Sequence, residues 1–136
     1  MLKADDWCFA CGQSNPHGLR LKDFEFDGTY YSVKWHPSQY YQGWAGIVHG
    51  GIIATLLDEV MTRLLWEQGN QVATAELCIR YHEAVSLDDE LTARARLVSR
   101  KRRFFETEAE VLLADGRVVA SAHAKFLIPR DDYEGT

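Results

Sequence analysis

The chain has 136 residues, 46% of them hydrophobic and 26% charged, which suits one soluble globular domain with its own core and is too short for two. Its 20 acidic residues against 15 basic ones give a net charge of −5, which argues against nucleic-acid binding. No apolar run approaches membrane-spanning length, and the opening residues lack the basic, apolar and small-residue layout of a signal peptide, so a cytoplasmic protein with no membrane partner is the expectation.

Residues 1–18 read as an irregular lead-in, rich in turn formers and without a period. It carries Cys8 and Cys11; with Cys78 they make three cysteines, an odd number that speaks against a disulfide framework. Cys8, Cys11 and His17 raise the question of zinc, but no second pair of ligands lies nearby to complete four. The expectation is two packed thiols near a tight turn, and no metal.

From Leu19 the pattern alternates through Leu21, Phe24 and Phe26, turns at Asp27-Gly28 and resumes from Tyr30 to Trp35, which predicts a hairpin. A loop from Pro37 to Gly46 follows, carrying Tyr40, Tyr41, Gln42 and Trp44, placed to line a pocket or to serve as a packed connector. Next comes a helix: Ile52, Ile53, Leu56, Leu57, Val60, Met61, Leu64 and Leu65 recur in pairs every four positions and lay down one broad apolar face, with Gly69-Asn70 as its stop. The remainder is strand on strand. Val72 to Glu83 places Ala75, Leu77, Ile79 and Tyr81 on one face and Thr74, Glu76, Cys78, Arg80 and His82 on the other. Leu91 to Ser99, Phe105 to Leu113 and Val118 to Ile128 alternate likewise, and their alanines leave room for the helix against the sheet. Residues 129–136 form a charged tail expected to fray. The expected architecture is α+β: one long central helix wrapped by a curved antiparallel sheet of five to six strands, in a single domain over 1–136.

Two features of the helix bear on chemistry. His49, Gly50 and Gly51 are poor helix formers at its start; they leave the first backbone N–H groups uncovered, where developing negative charge is stabilised. Asp58 lies at one edge of the apolar face with no cation three or four residues away, whereas Glu59 has Arg63 four positions on and reads as half of a surface ion pair. Asp58 is either catalytic or satisfied by Thr55, Thr62 or a group on a distant strand. The run Arg100 to Arg103 is either a solvated hairpin tip or a clamp for an anionic group such as phosphate.

The segments Gly46 to Glu59 (GIVHGGIIATLLDE) and Cys8 to Leu19 (CFACGQSNPHGL) resemble the hotdog-fold acyl-CoA thioesterases, specifically the phenylacetate-degradation (PaaI-like) branch, and the resemblance extends over nearly the whole chain. It implies a hotdog fold and hydrolysis of an acyl-CoA to free acid and CoA. Asp58 would be the catalytic carboxylate, Gly50 the backbone N–H donor to the thioester carbonyl, and His49 a neighbour orienting substrate or loop. Gly51 shares the uncovered helix start. Relatives carry a glutamine or asparagine six positions before the histidine; here Gly43 stands there, with Gln42 one residue earlier as the candidate helper. Thr74 is the candidate hydroxyl for positioning water, and Arg102 and Arg103 are candidates for the CoA phosphates. CoA is part of the substrate, so no separate cofactor is implied.

The resemblance leaves open whether Asp58 activates water or attacks directly. A hydratase or dehydratase on the same scaffold, or a non-catalytic acyl-ligand binder, are the alternatives. Gly50 and Asp58 are eight positions apart, about 12 Å along a helix at 1.5 Å per residue, too far for both to reach one carbonyl. An obligate homodimer with two shared sites is therefore expected, possibly paired again into a tetramer.

Overall fold

The computed structural model describes residues 2–135; Met1 and Thr136, the outer ends of the expected lead-in and tail, lie outside the described residues. The helix α1 runs Gly50–Glu67 and buries Ile53, Leu56, Leu57, Val60, Met61, Leu64 and Leu65. Its end shows why it stops: Gly69, at φ 90°, donates to the Trp66 carbonyl and Asn70 to that of Leu65, the paired bonds of a Schellman turn that glycine adopts without a Cβ penalty.

Six strands wrap this helix: β1 Glu25–Phe26, β2 Tyr31–Trp35, β3 Ala73–Tyr81, β4 Leu91–Lys101, β5 Phe104–Leu113 and β6 Val118–Leu127. They form one antiparallel sheet in the order β1-β2-β4-β5-β6-β3. One transverse row reads Tyr31, Ala95, Ala109, Ala122, Ile79. The three central members are alanines, all buried, and their small side chains let α1 settle onto the sheet. Leu56 and Leu57 fill that contact at 0% exposure, so truncating either to alanine is expected to cost about 2–5 kcal/mol. A helix held in one curved antiparallel sheet is the hotdog fold.

Two details depart from the alternation read in the sequence. Leu19 and Leu21 are buried, but the first strand begins only at Glu25, because Arg20 (φ 54°) and Asp23 (φ 60°) turn the chain out of extended geometry. The chain before it is nonetheless anchored: Trp35 Nε1 donates to the Leu19 carbonyl at 3.2 Å and the Tyr41 hydroxyl to that of Gly18 at 2.5 Å.

The second departure is in β3. Its register against β6 shifts between Thr74 and Glu76: Thr74 faces Phe126, while Glu76 already faces Lys125. Such a bulge places one extra residue on the strand and reverses side-chain parity beyond it. Thr74 therefore joins Leu77, Ile79 and Tyr81 on the face toward the helix, not the outer face shared by Glu76, Cys78 and Arg80.

At the other end of the chain, Arg130–Asp132 form a 3-10 turn and Tyr133 packs against the core. Among the described residues no helix is long and apolar enough to cross a membrane.

Candidate active site

The start of α1 is capped by the side chain of His49, whose Nδ1 accepts the Gly51 N–H at 2.8 Å. That bond requires the neutral ring with its proton on Nε2. The His49 carbonyl takes the N–H groups of Ile52 and Ile53. Gly50 is left as the one donor of the first turn with no acceptor among the described residues, which narrows the uncovered helix start from two glycines to one. The Tyr81 hydroxyl fixes the same residue from the sheet, donating to the Gly50 carbonyl at 2.7 Å. Gly50 borders two clefts, one of ≈ 250 Å³ shared with Tyr81 and one of ≈ 400 Å³ shared with Gly43, Trp44 and His49.

Asp58 is half-buried on the helix face turned toward β3. Neither threonine of its own helix reaches the carboxylate: Thr55 donates to the Gly51 carbonyl and Thr62 to the backbone carbonyl of Asp58 itself. The donor comes from across the fold, where Thr74 Oγ1 donates to Asp58 Oδ1 at 2.8 Å. Among the described residues no lysine or arginine pairs with it. Burial pushes the Asp58 carboxyl above its ordinary value, and the Thr74 hydrogen bond only partly opposes this. An acid in this state is suited to take a proton once ionised.

Glu59 behaves unlike the surface acid its spacing suggested. It is 8% exposed, and the Cys8 thiol lies 3.7 Å from its Oε2. Arg63 pairs instead with Glu67 at 3.6 Å and stacks over Phe24. The lead-in folds over this side of the helix, so burial and not the i,i+4 spacing decides the partner. All three cysteines are free thiols, with Cys78 exposed on β3. Burial first, then the Glu59 hydrogen bond and charge, push the Cys11 thiol up to about 12.

Gln42 lies in the loop before the helix, and its Oε1 accepts the Gly46 N–H at 2.9 Å. At position 43 a Cβ would sit 3.2 Å from the His49 Cα, so the loop packs there directly on the histidine backbone. Of the basic run, Arg100 and Lys101 belong to β4, and only Arg102 and Arg103 form the turn. Arg103 is half-buried, donating to the Ile128 carbonyl at 3.1 Å and stacking on Phe104, whereas Arg102 is exposed. The row Ala73, Leu127, Phe104, Lys101 puts this turn at the same end of the sheet as Thr74.

The structure thus joins Asp58 to Thr74 at one end of β3, and Gly50 to His49 and Tyr81 at the other. It does not bring the two groups together within one chain. Tyr81 is the residue that sequence reasoning missed; its place on the helix face of β3 was visible, but its reach to the start of α1 was not.

The sequence model of the thioesterase superfamily matches residues 45–120, from the loop before the helix to β6. No curated protein sequence matches the chain. Among solved structures, a hypothetical thioesterase from Streptococcus pneumoniae with coenzyme A is 22% identical and superposes at a TM-score of 0.73, over 79% of this chain and 90% of that one. A Bacillus halodurans protein solved with CoA is 28% identical at 0.72, covering 82% and 74%. A thioesterase superfamily protein is 34% identical at 0.68 over 72% of this chain, which spans 48% of that longer one.

Proposed function

The chain belongs to the thioesterase superfamily, and from that premise we propose that it hydrolyses an acyl-CoA thioester to the free acid and CoA in sites shared between two subunits. The observation that carries the proposal is the pair of hydrogen bonds on β3: Thr74 to Asp58 near one end and Tyr81 to Gly50 at the other. β3 is a nine-residue edge strand with one side unpaired, a ready template for a second copy.

Antiparallel pairing of β3 with itself about Cys78 sets Leu77 opposite Ile79 of the partner subunit on the inner face and Glu76 opposite Arg80 of the partner subunit on the outer face. Apolar meets apolar and acid meets base. The bulge then brings Thr74 opposite Tyr81 of the partner subunit, which carries Asp58 toward Gly50 of the partner subunit. The intrachain separation of about 12 Å along the helix is thereby removed.

In such a site the Gly50 N–H, at the positive end of α1, stabilises the oxyanion that forms on the thioester carbonyl. Asp58 either draws a proton from water as it attacks or attacks the carbonyl itself to give an anhydride that water then opens; in both routes CoA leaves as a thiolate. Single turnover in heavy-oxygen water separates them, since only the anhydride route places label in Asp58. His49 holds the helix start, and Gln42 braces the loop that bears Trp44. Tyr40 and Trp44, each 85% exposed, suit an aryl or medium-chain acyl group, and Arg102 suits the CoA phosphates. The solved relatives that carry CoA support this substrate class.

A thiol-release assay over arylacetyl- and straight-chain acyl-CoAs tests the reading. Turnover of at least one class is expected. Tight binding of the panel with no thiol released from any member would replace the enzyme by a binding protein.

A further inference from the structure

A second cluster of chemistry-bearing side chains lies on the other side of α1, one residue beyond Asp58. The Cys8 and Cys11 sulfurs and a Glu59 carboxylate oxygen all lie within 4.8 Å of one another, although the cysteines come from the lead-in and the glutamate from mid-helix. Cys8 Sγ and Glu59 Oε2 are 3.7 Å apart. Two ligands of a tetrahedral zinc ion, with bonds of about 2.3 Å to sulfur and about 2.1 Å to oxygen, are separated by about 3.6 Å. The Cys8–Glu59 spacing is thus close to that of a tetrahedron's edge.

The lead-in is shaped to hold the sulfurs there. Cys8 Sγ accepts the N–H groups of Ala10 at 3.3 Å and Cys11 at 3.4 Å, and Gly12 N–H returns to the Cys8 carbonyl at 2.9 Å. A Cβ at Gly12 would collide with the Cys8 nitrogen and the Asp6 carbonyl, so the turn closes this tightly only with glycine. Two amides converging on one sulfur fix where it sits. Glu59, for its part, is 8% exposed and forms no ion pair within 4.0 Å among the described residues, so its second contact beside the Cys8 sulfur is open to a ligand.

We propose that Cys8, Cys11 and Glu59 bind one zinc ion, which clips the lead-in to the central helix. Binding releases the two thiol protons to solvent. Two thiolates and a carboxylate exceed the charge of a divalent ion by one, and Arg63, whose side chain lies beside Cys11, offsets the excess. Cys8, Cys11 and Glu59 all line a cleft of ≈ 660 Å³ bordered also by Asp6, Trp7, Thr62 and Trp66, which would give an ion an entry path and room for a water as fourth ligand. Thiolate donors select zinc over magnesium or calcium, which prefer oxygen. The centre is independent of the thioester chemistry, and its test needs no turnover.

The full chain, reduced and stripped with a chelator, is titrated with zinc and, separately, with cobalt. Expected are one tightly held ion per chain and, for cobalt, thiolate charge-transfer absorption with intense visible bands of a tetrahedral site. Cys8→Ser with Cys11→Ser should abolish both, Cys78→Ser should change neither, and Glu59→Gln should weaken binding by more than about tenfold, since even outer-shell partners are worth 10- to 100-fold. Failure of the wild-type chain to retain metal or to give the cobalt spectrum overturns the proposal, as does retention unchanged in the double variant. A freshly purified chain two hydrogens lighter, with Cys8 and Cys11 in a disulfide and no cobalt absorption after reduction, overturns it in favour of a redox pair. Circular dichroism of Glu59→Gln confirms that its loss of affinity is not loss of fold.

Discussion

Thr74 Oγ1 reaches Asp58 Oδ1 at 2.8 Å only because the bulge between Thr74 and Glu76 turns that one side chain toward the helix. Without the bulge, plain alternation would point Thr74 outward. Replacing Asp58 by asparagine keeps an acceptor for Thr74 while removing the base. Asp58→Asn is expected to lower kcat by about 10²–10⁴-fold, with the far-ultraviolet circular dichroism unchanged. Wild-type thiol release by that variant would remove Asp58 from the chemistry.

The same environment sets a pH dependence. Burial holds the Asp58 carboxyl above its ordinary 3.8, and Thr74 pulls it back. A base must be ionised to work, so kcat/KM should rise with pH through this raised value, and Thr74→Val should move that acid limb to higher pH. For stability the sign is opposite. A raised acid contributes fully below its unfolded value and loses that contribution as pH rises through its folded one, so at neutral pH the ionised group is a burden. Asp58→Asn should therefore melt higher than wild type at pH 7, with the gap closing toward pH 3. Melting curves at both pH values check this.

Gly50 occupies the first helical position, and the preceding His49 sits at φ −60°, ψ 134°, a conformation that tolerates a following proline. Gly50→Pro thus deletes one N–H and little else. A fall in kcat of about 10²–10³-fold with the fold retained is expected from loss of an oxyanion donor. Sharing of the site adds a sharper outcome. Mixing inactive Gly50→Pro and Asp58→Asn chains through an unfolding and refolding step should restore about a quarter of wild-type activity, because half the dimers are mixed and each carries one intact site. No recovery would place both groups in one chain's site.

Pairing of β3 about Cys78 places that cysteine opposite its own copy, at the Cα separation of about 4.5–5.5 Å that a disulfide spans. Mild oxidation should give a covalent dimer on a non-reducing gel, and Cys78→Ser should abolish it. A monomer at micromolar concentration by sedimentation would exclude the interface.

The two arginines of the β4–β5 turn should separate. Arg102 is exposed at φ 58°, so Arg102→Gly relieves an unfavourable backbone and should raise KM for acyl-CoA with kcat unchanged. Arg103 is tied to the Ile128 carbonyl, and Arg103→Ala should cost about 0.5–1.5 kcal/mol in a denaturant titration.

Sequence alone determined the central helix, its glycine start at Gly50-Gly51, the alanine-lined strands and the lack of a cation beside Asp58 on its own helix, because periodicity, caps and turn residues act over a few positions. The resemblance of the segments Gly46 to Glu59 and Cys8 to Leu19, and not those local rules, placed the chain near its family. The local rules could not see that Glu59 would be buried under Cys8 rather than paired with Arg63, or that Thr74 would change faces. Nor could they see that Tyr81 would tie β3 to Gly50. Each of those depends on a neighbour dozens of residues away or on one extra residue in a strand, and only packing of the whole chain decides between partners at that distance.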